Sequence, residues 1–267
     1  MKKFFLSVAV LAVLFLFPLT GFLVSRAYRV PRNVDVDAGK ALLQTLDSVP
    51  LDEVKTKVAE NEQKKLEALA RAKRSLKTQE IISLLQSGQL SYRKALSDLY
   101  IAGDSLMAGL AVYDILNANH IFAEVSASLA HLETNLSKIE AKHPPILLLH
   151  YGLNMISTSD AQLNSFISRY KSILEGIQKD LPNTRIVVSL LFPVDRSKAT
   201  ASEFGRIDAY NDALKEMCAS IGVEALDSSP AFVGKESSYG ADGIHLSASF
   251  YRNDWLIYLI RELEIGA

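Results

Sequence analysis

The chain has 267 residues, 49% of them apolar, with 29 Lys+Arg against 30 Asp+Glu for a net charge of −1. That is ample material for a core and one sizeable domain with extensions, and the balanced charge argues against a nucleic-acid binder, which carries a basic field. The single cysteine, Cys218, excludes an internal disulfide framework, a Cys-based zinc site and an iron–sulfur cluster, and five histidines leave little for a metal centre.

Met1-Lys2-Lys3 precedes an apolar run from Phe4 to Val24. As a helix it is roughly 30 Å long, about the thickness of a bilayer's hydrocarbon core. It exceeds the apolar core of a signal peptide, so residues 1–32 read as an uncleaved anchor. A cleaved signal, with Ser25-Arg26-Ala27 as a loose cleavage site, is the alternative. Lys2, Lys3 and the amine favour an inside N-terminus, while Arg26, Arg29 and Arg32 pull the other way. The length of chain that follows favours a single-pass membrane protein with its bulk outside the cell.

Residues 33–95 read as a helical stem. The stretch Leu51–Gln86 is rich in Glu, Lys, Ala and Leu, with Pro50 before it and Gly88 after it as punctuation. Val54, Val58, Leu66, Leu69, Leu76 and Leu84 form a stripe too broken for a heptad seam. A solvated spacer is the plain reading, with self-association or partner docking as the alternative.

From residue 96 to 267 the pattern alternates. Apolar runs at 99–102, 121–125, 145–151 and 185–192, with a short 223–227, read as buried strands. Helical stretches lie at 105–116, 161–181 and 204–222, and a last one follows residue 247. Such alternation predicts a three-layer α/β/α domain with a mostly parallel sheet, in which sites gather beyond the carboxyl ends of the strands.

Three of those ends carry suggestive residues. Gly103-Asp104-Ser105-Leu106 follows the first strand. A serine on a strand-to-helix turn has an exposed hydroxyl beside a helix N-terminus, where negative charge is stabilised; the same residues also make an ordinary helix cap. Gly152-Leu153-Asn154 follows the third long strand, and an asparagine amide there can donate to an oxyanion or simply shape a turn. Asp242 stands three residues before His245, a spacing that lets the carboxylate orient the imidazole.

Taken together, IAGDSL, GLN and DGIHLS, in that order, resemble the GDSL or SGNH family of serine esterases and lipases, over residues from about Leu96 to Glu264. The resemblance implies the flavodoxin-like SGNH fold, with Ser105 as nucleophile, His245 as base and Asp242 as its orienting partner. It implies an oxyanion hole from the Ser105 N–H, a second-block backbone N–H and the Asn154 side chain, supported by Gly103, Asp104 and Gly152. No metal or organic cofactor is implied. Two departures stand out. Met155 replaces the Asp that often follows the third-block Asn, and AEVSASLAHL lacks the second-block glycine. Ser126, which immediately follows the second strand, is the residue expected in that glycine's place; its backbone N–H survives the change, and its side chain would either crowd the substrate or need a positive φ.

Other candidates carry plainer readings. His150 reads as a strand-end residue packed under the loop, Cys218 as an inert core thiol and Asp195 as a turn residue, while His120, His131 and His143 show no ligand spacing. Leu106, Met107 and Leu110 after the nucleophile, and the absence of a long lid segment, suggest a small site. The expected partner is therefore an ester substrate carrying a short acyl group, O-acetyl foremost, on an extracellular carbohydrate or envelope polymer. Lipase, lysophospholipase or O-acetyltransferase action is the alternative within the enzyme class. A silent glycan-binding or partner-docking module is the alternative outside it.

Overall fold

The computed structural model describes residues 35–47 and 50–266. The anchor expected over residues 1–32 lies outside the described residues. Among the described residues no helix is long and apolar enough to cross a membrane. The described residues divide into two units, the first ending at Glu67 and the second beginning at Ala68.

In the first unit, α1 (Val36–Asp47) begins where the Asp35 carboxylate accepts from the N–H groups of Asp37 and Ala38 at 3.1 and 2.9 Å, an N-cap. This helix falls in the stretch read as stem. Helix α2 (Leu51–Gln86) has the bounds expected for it. Val54, Val58 and Leu66 on its first half are exposed, in keeping with a solvated face.

The second unit takes in the end of α2, where Thr78, Ile82 and Leu85 are buried and Arg74 pairs with Glu264 at 2.8 Å. Ile82 and Leu85 belong to the hydrophobic core although their stretch reads as stem. A short α3 (Tyr92–Ala95) leads into the sheet.

Five strands, β1 (Leu99–Gly103), β2 (Ile121–Ala123), β3 (Ile146–His150), β4 (Arg185–Ser189) and β5 (Glu224–Leu226), form one parallel sheet in the order β2-β1-β3-β4-β5. β1 and β3 are nearly all apolar and buried, as strands must be when helices cover both faces. β2 stops two residues short of expectation: Glu124 and Val125 are exposed at the sheet edge, where no second neighbour holds them.

Helix α4 (Ser105–Val112) joins β1 to β2, and α5 (Leu129–Glu140), α6 (Asp160–Asp180) and α7 (Ile207–Ile221) make the later crossovers. Because parallel crossovers are right-handed, α4, which steps to one side of β1, lies on the opposite face from α5, α6 and α7, which step to the other. The sequence reading contains no α5, though Leu129, Leu132 and Ile139 are its buried face. Helix α6 buries Leu163, Phe166, Tyr170, Ile173, Leu174 and Ile177, one face at helical spacing, with Ile167 beside them only partly buried. The last helix runs unbroken but changes type: α8 (Ala248–Phe250) and α9 (Leu256–Glu262) are joined by a π-helical turn, Tyr251–Trp255. The connections from β1 and to β3 step to opposite sides of the sheet, which opens a crevice at the carboxyl ends of these two parallel strands.

Candidate active site

Both sides of that crevice carry expected residues. Gly103 ends β1 paired with His150 of β3. A Cβ on Gly103 would lie 2.6 Å from Met107 Cγ and 2.8 Å from the His150 carbonyl oxygen, so no side chain fits there. Asp104 caps α4, accepting from Leu106 N–H at 3.0 Å. Ser105 is then the first helical residue, half-buried, its hydroxyl facing the crevice mouth.

The structure brings three distant residues together. Ser105 Oγ lies 2.9 Å from His245 Nε2, and His245 Nδ1 lies 2.6 Å from Asp242 Oδ2. The other Asp242 oxygen accepts from the N–H groups of Ile244 and His245 at 2.9 and 3.0 Å, so a local turn fixes the carboxylate before it meets the imidazole. Burial works upward on the Asp242 carboxyl. The His245 side chain and the two backbone N–H groups outweigh it and hold the pKa at about 2. Asp242 is therefore an anion throughout the neutral range. The side chains of His245 and Asp242 are 51% and 47% exposed, so the site is open and shallow.

Across the crevice, Gly152 has φ +137° and begins the short helical turn Leu153–Met155 that presents Asn154. Asn154 is exposed, and its amide donates to the Ala127 carbonyl at 3.1 Å, leaving a second N–H for the site. Ser126, next to Ala127, is exposed and has φ +61°, the left-handed region that favours glycine. Met155 stands where the family often has Asp, and its sulfur accepts from Leu129 N–H at the start of α5, 3.5 Å away.

Several residues that frame the site are absent from the sequence reading. Tyr251 donates to the Leu106 carbonyl at 2.7 Å and Tyr113 to the Leu246 carbonyl at 3.1 Å, while Arg252 bonds the Tyr113 carbonyl at 2.8 Å. These three contacts tie α4, which carries Ser105, and the residue after it to the segment after His245. Burial, aided by Asp104 and Tyr113, pushes the Tyr251 phenol well up, so it stays a donor. Tyr251 and Arg252 lie on the π-helical turn after α8, which is invisible in periodicity, so the sequence pattern carries no signal for this clamp.

His150 is fully buried, as read, with Nδ1 3.1 Å from Ser189 Oγ and its ring against Phe192. Burial lowers its pKa, opposed by the nearby Asp104 charge. His150 Nε2 and Asp104 Oδ2 are both buried without a partner beneath the nucleophile turn. Cys218 is buried, its thiol pushed up to about 11. Asp195 serves its own turn, its carboxylate engaged by Ser197 and Lys198. His120 stacks on Tyr100 and His131 bonds the Tyr151 hydroxyl. The small site expected from Leu106, Met107 and Leu110 needs correction: all three are buried in the core under α4 and cannot line an acyl pocket.

A constellation of this kind on a doubly wound sheet defines an acyl-transfer hydrolase. The model of the GDSL-like lipase/acylhydrolase family matches residues 101–252. The chain belongs to that family and is a carboxylic ester hydrolase. No curated protein matches it. Similar solved structures include a protein described as a GDSL-like lipase from Parabacteroides merdae, 13% identical over 63% of this chain and 94% of that one, with a TM-score of 0.49. LAE5, an alpha/beta hydrolase from the metagenome of Lake Arreo, is 14% identical over 63% and 96%, at 0.48. The acetylxylan esterase Axe2 from Geobacillus stearothermophilus is 13% identical over 63% and 94%, at 0.46.

Proposed function

We propose that the protein is a serine esterase that removes short acyl groups, O-acetyl foremost, from a carbohydrate or envelope polymer outside the cell. The observation that carries the chemistry is the hydrogen-bonded chain from Ser105 Oγ through His245 to Asp242, at 2.9 and 2.6 Å. Ser105 Oγ attacks the ester carbonyl while its proton passes to His245 Nε2, and Asp242 stabilises the imidazolium. The oxyanion is held by the Ser105 and Ser126 N–H groups and the Asn154 amide. As the C–O bond breaks, His245 returns the proton to the leaving oxygen. Water then cleaves the acyl-enzyme by the same steps in reverse order.

A short acyl group is favoured by the openness of the site. Each CH2 of a long chain gains about 0.8 kcal/mol only if it is buried, whereas Ser126, Asn154 and Ser247 are polar and exposed and the apolar Val125 beside Ser126 stands 76% exposed, with no wall among the described residues to enclose a chain. The apolar run from Phe4 to Val24 supports an anchor over residues 1–32, with residues 33–95 as a stem and 96–267 as the catalytic domain. Recovery of the full chain in the soluble cell fraction would overturn the anchor.

The test is hydrolysis of p-nitrophenyl acetate and longer esters by the full-length protein in detergent, beside Ser105→Ala. Turnover that favours acetate and falls at least about 10⁴-fold in the variant is expected. Retained turnover in Ser105→Ala would sink the mechanism, and a preference for long chains would replace the deacylase reading with a lipase.

A further inference from the structure

The leaving oxygen takes its proton from His245 Nε2, so the alcohol part of an ester must depart on the His245 side of the triad, away from Ser126 and Asn154. On that side the segment after β4 lies directly against the catalytic loop. Asp195 N–H donates to the Gly243 carbonyl at 2.8 Å, and Tyr239 donates to the Pro193 carbonyl at 2.8 Å. Gly243 has φ +71°, and a Cβ there would sit 2.7 Å from the Asp195 carbonyl oxygen and 2.8 Å from Ala199 N. Nothing larger than glycine allows so close an approach.

This same segment forms one wall of an open groove of about 250 Å³, just below the roughly 300–1,000 Å³ usual for ligand sites. Pro193, Val194, Phe204 and Ile207 supply apolar surface, while Arg196 and Asp208 supply a fork of donors and a carboxylate acceptor. Arg196 Nη1 is fixed by the Ala201 carbonyl at 2.8 Å, which pre-orients the guanidinium. Arg196 and Asp208 line one groove without pairing to each other. Their charges cancel, and neighbouring Lys198 and Asp195 cancel likewise at 3.1 Å. A neutral, hydroxyl-rich ring fits such a groove: its edge hydroxyls meet donor and acceptor, and its faces meet Phe204 and Val194. An anionic or cationic group finds no net opposite charge there.

We infer that this groove is the subsite for the alcohol part of the substrate, and that it takes a single uncharged sugar ring through Arg196 and Asp208. The inference rests on the esterase reading above and names the moiety which that reading leaves open.

The experiment compares three acetate esters on the full-length protein in detergent: p-nitrophenyl acetate, a methyl pyranoside monoacetate, and the corresponding monoacetate of a uronic acid. For wild type, the neutral sugar ester is expected to outrun the uronate. In Arg196→Ala and Asp208→Ala, the ratio of kcat/KM for the neutral sugar ester to that for p-nitrophenyl acetate is expected to fall about tenfold or more, mainly through KM, as befits lost bonds to charged groups. An unchanged ratio, whether both rates hold or both fall together, overturns the subsite while leaving the esterase standing. A wild-type preference for the uronate overturns the neutral-ring assignment. Cleavage of p-nitrophenyl acetate with none of either sugar ester overturns the carbohydrate reading itself.

Discussion

The two corners of the crevice are built differently. At the end of β1, Gly103 and Asp104 are buried, Asp104 caps α4, and Tyr251 reaches across to the Leu106 carbonyl. Beyond β2, the chain turns through Glu124, Val125 and Ser126, all exposed, with Val125 at 76% and Ser126 left-handed. The contrast follows from place in the sheet. β1 is central and flanked by two strands, whereas β2 is a three-residue edge with one neighbour. A nucleophile has to meet its base within a few tenths of an ångström and needs a rigid frame. An N–H group aimed at an oxyanion needs only its own peptide plane, which a short exposed turn can hold.

The rigid corner is where the largest losses are expected. Asp242→Asn keeps one oxygen for the Ile244 and His245 N–H groups, so the turn survives. The amide cannot accept from His245 Nδ1, so the tautomer is lost and kcat should fall by about 10³–10⁴ without a change in melting temperature. Because the wild-type carboxyl has a pKa of about 2, Asp242 stays ionised above pH 4, and the acid limb of kcat/KM should have a slope of one. A slope of two above pH 4 would show a second group titrating with the base. At the open corner, Asn154→Ala removes one oxyanion donor and the bond to the Ala127 carbonyl. A loss of about 10²–10³ in kcat is expected. A loss under tenfold would show that backbone N–H groups alone suffice.

Beneath the rigid corner lies a pH-sensitive group. Burial lowers the pKa of His150 from its ordinary 6.5, so the folded protein binds fewer protons there than the unfolded chain does. Stability contributed by the neutral imidazole is full above about pH 6.5 and is lost as pH falls below it, by up to about 1.4 kcal/mol per unit, until the folded-state group protonates too. Denaturation at pH 7 and pH 5 should show this slope, and His150→Gln should flatten it. Equal slopes in both proteins would mean that His150 is not the acid-sensitive group.

What the sequence makes legible divides along the same line. Gly103-Asp104-Ser105 and Asp242-Gly243-Ile244-His245 are local constructions, each with its geometry set within four residues, and both stand where expected. Leu147, Leu148 and Leu149 are buried because a parallel strand covered on both faces needs an unbroken apolar run. Contacts that span the chain are not written locally. The Tyr251–Leu106 bond joins residues 145 apart, and the π-helical turn that aims Tyr251 leaves no trace in periodicity. Leu106, Met107 and Leu110 are apolar residues next to Ser105, and only their burial on the inner face of α4 tells core from pocket. Helix α5 was there to be read in Leu129, Leu132, Leu136 and Ile139, but its polar Thr134, Asn135 and Ser137 dilute the stripe.

The smallest effect is expected at Ser126, and it separates the two corners most sharply. A non-glycine residue at φ +61° pays roughly 1–2 kcal/mol against the right-handed region. Glycine removes that strain but widens the unfolded ensemble by about 0.4–1 kcal/mol, so Ser126→Gly should gain between about 0 and 1.6 kcal/mol. For a unit of this size each kcal/mol is about 2–4 °C in melting temperature. The N–H aimed at the oxyanion is kept, so kcat should stay within a few-fold. A fall of tenfold or more would mean that the strained serine holds this N–H in place, and the open corner would then be as rigid as the buried one. Unchanged kcat with higher stability would show that left-handed backbone is all this position requires, and that the Ser126 side chain plays no part in catalysis.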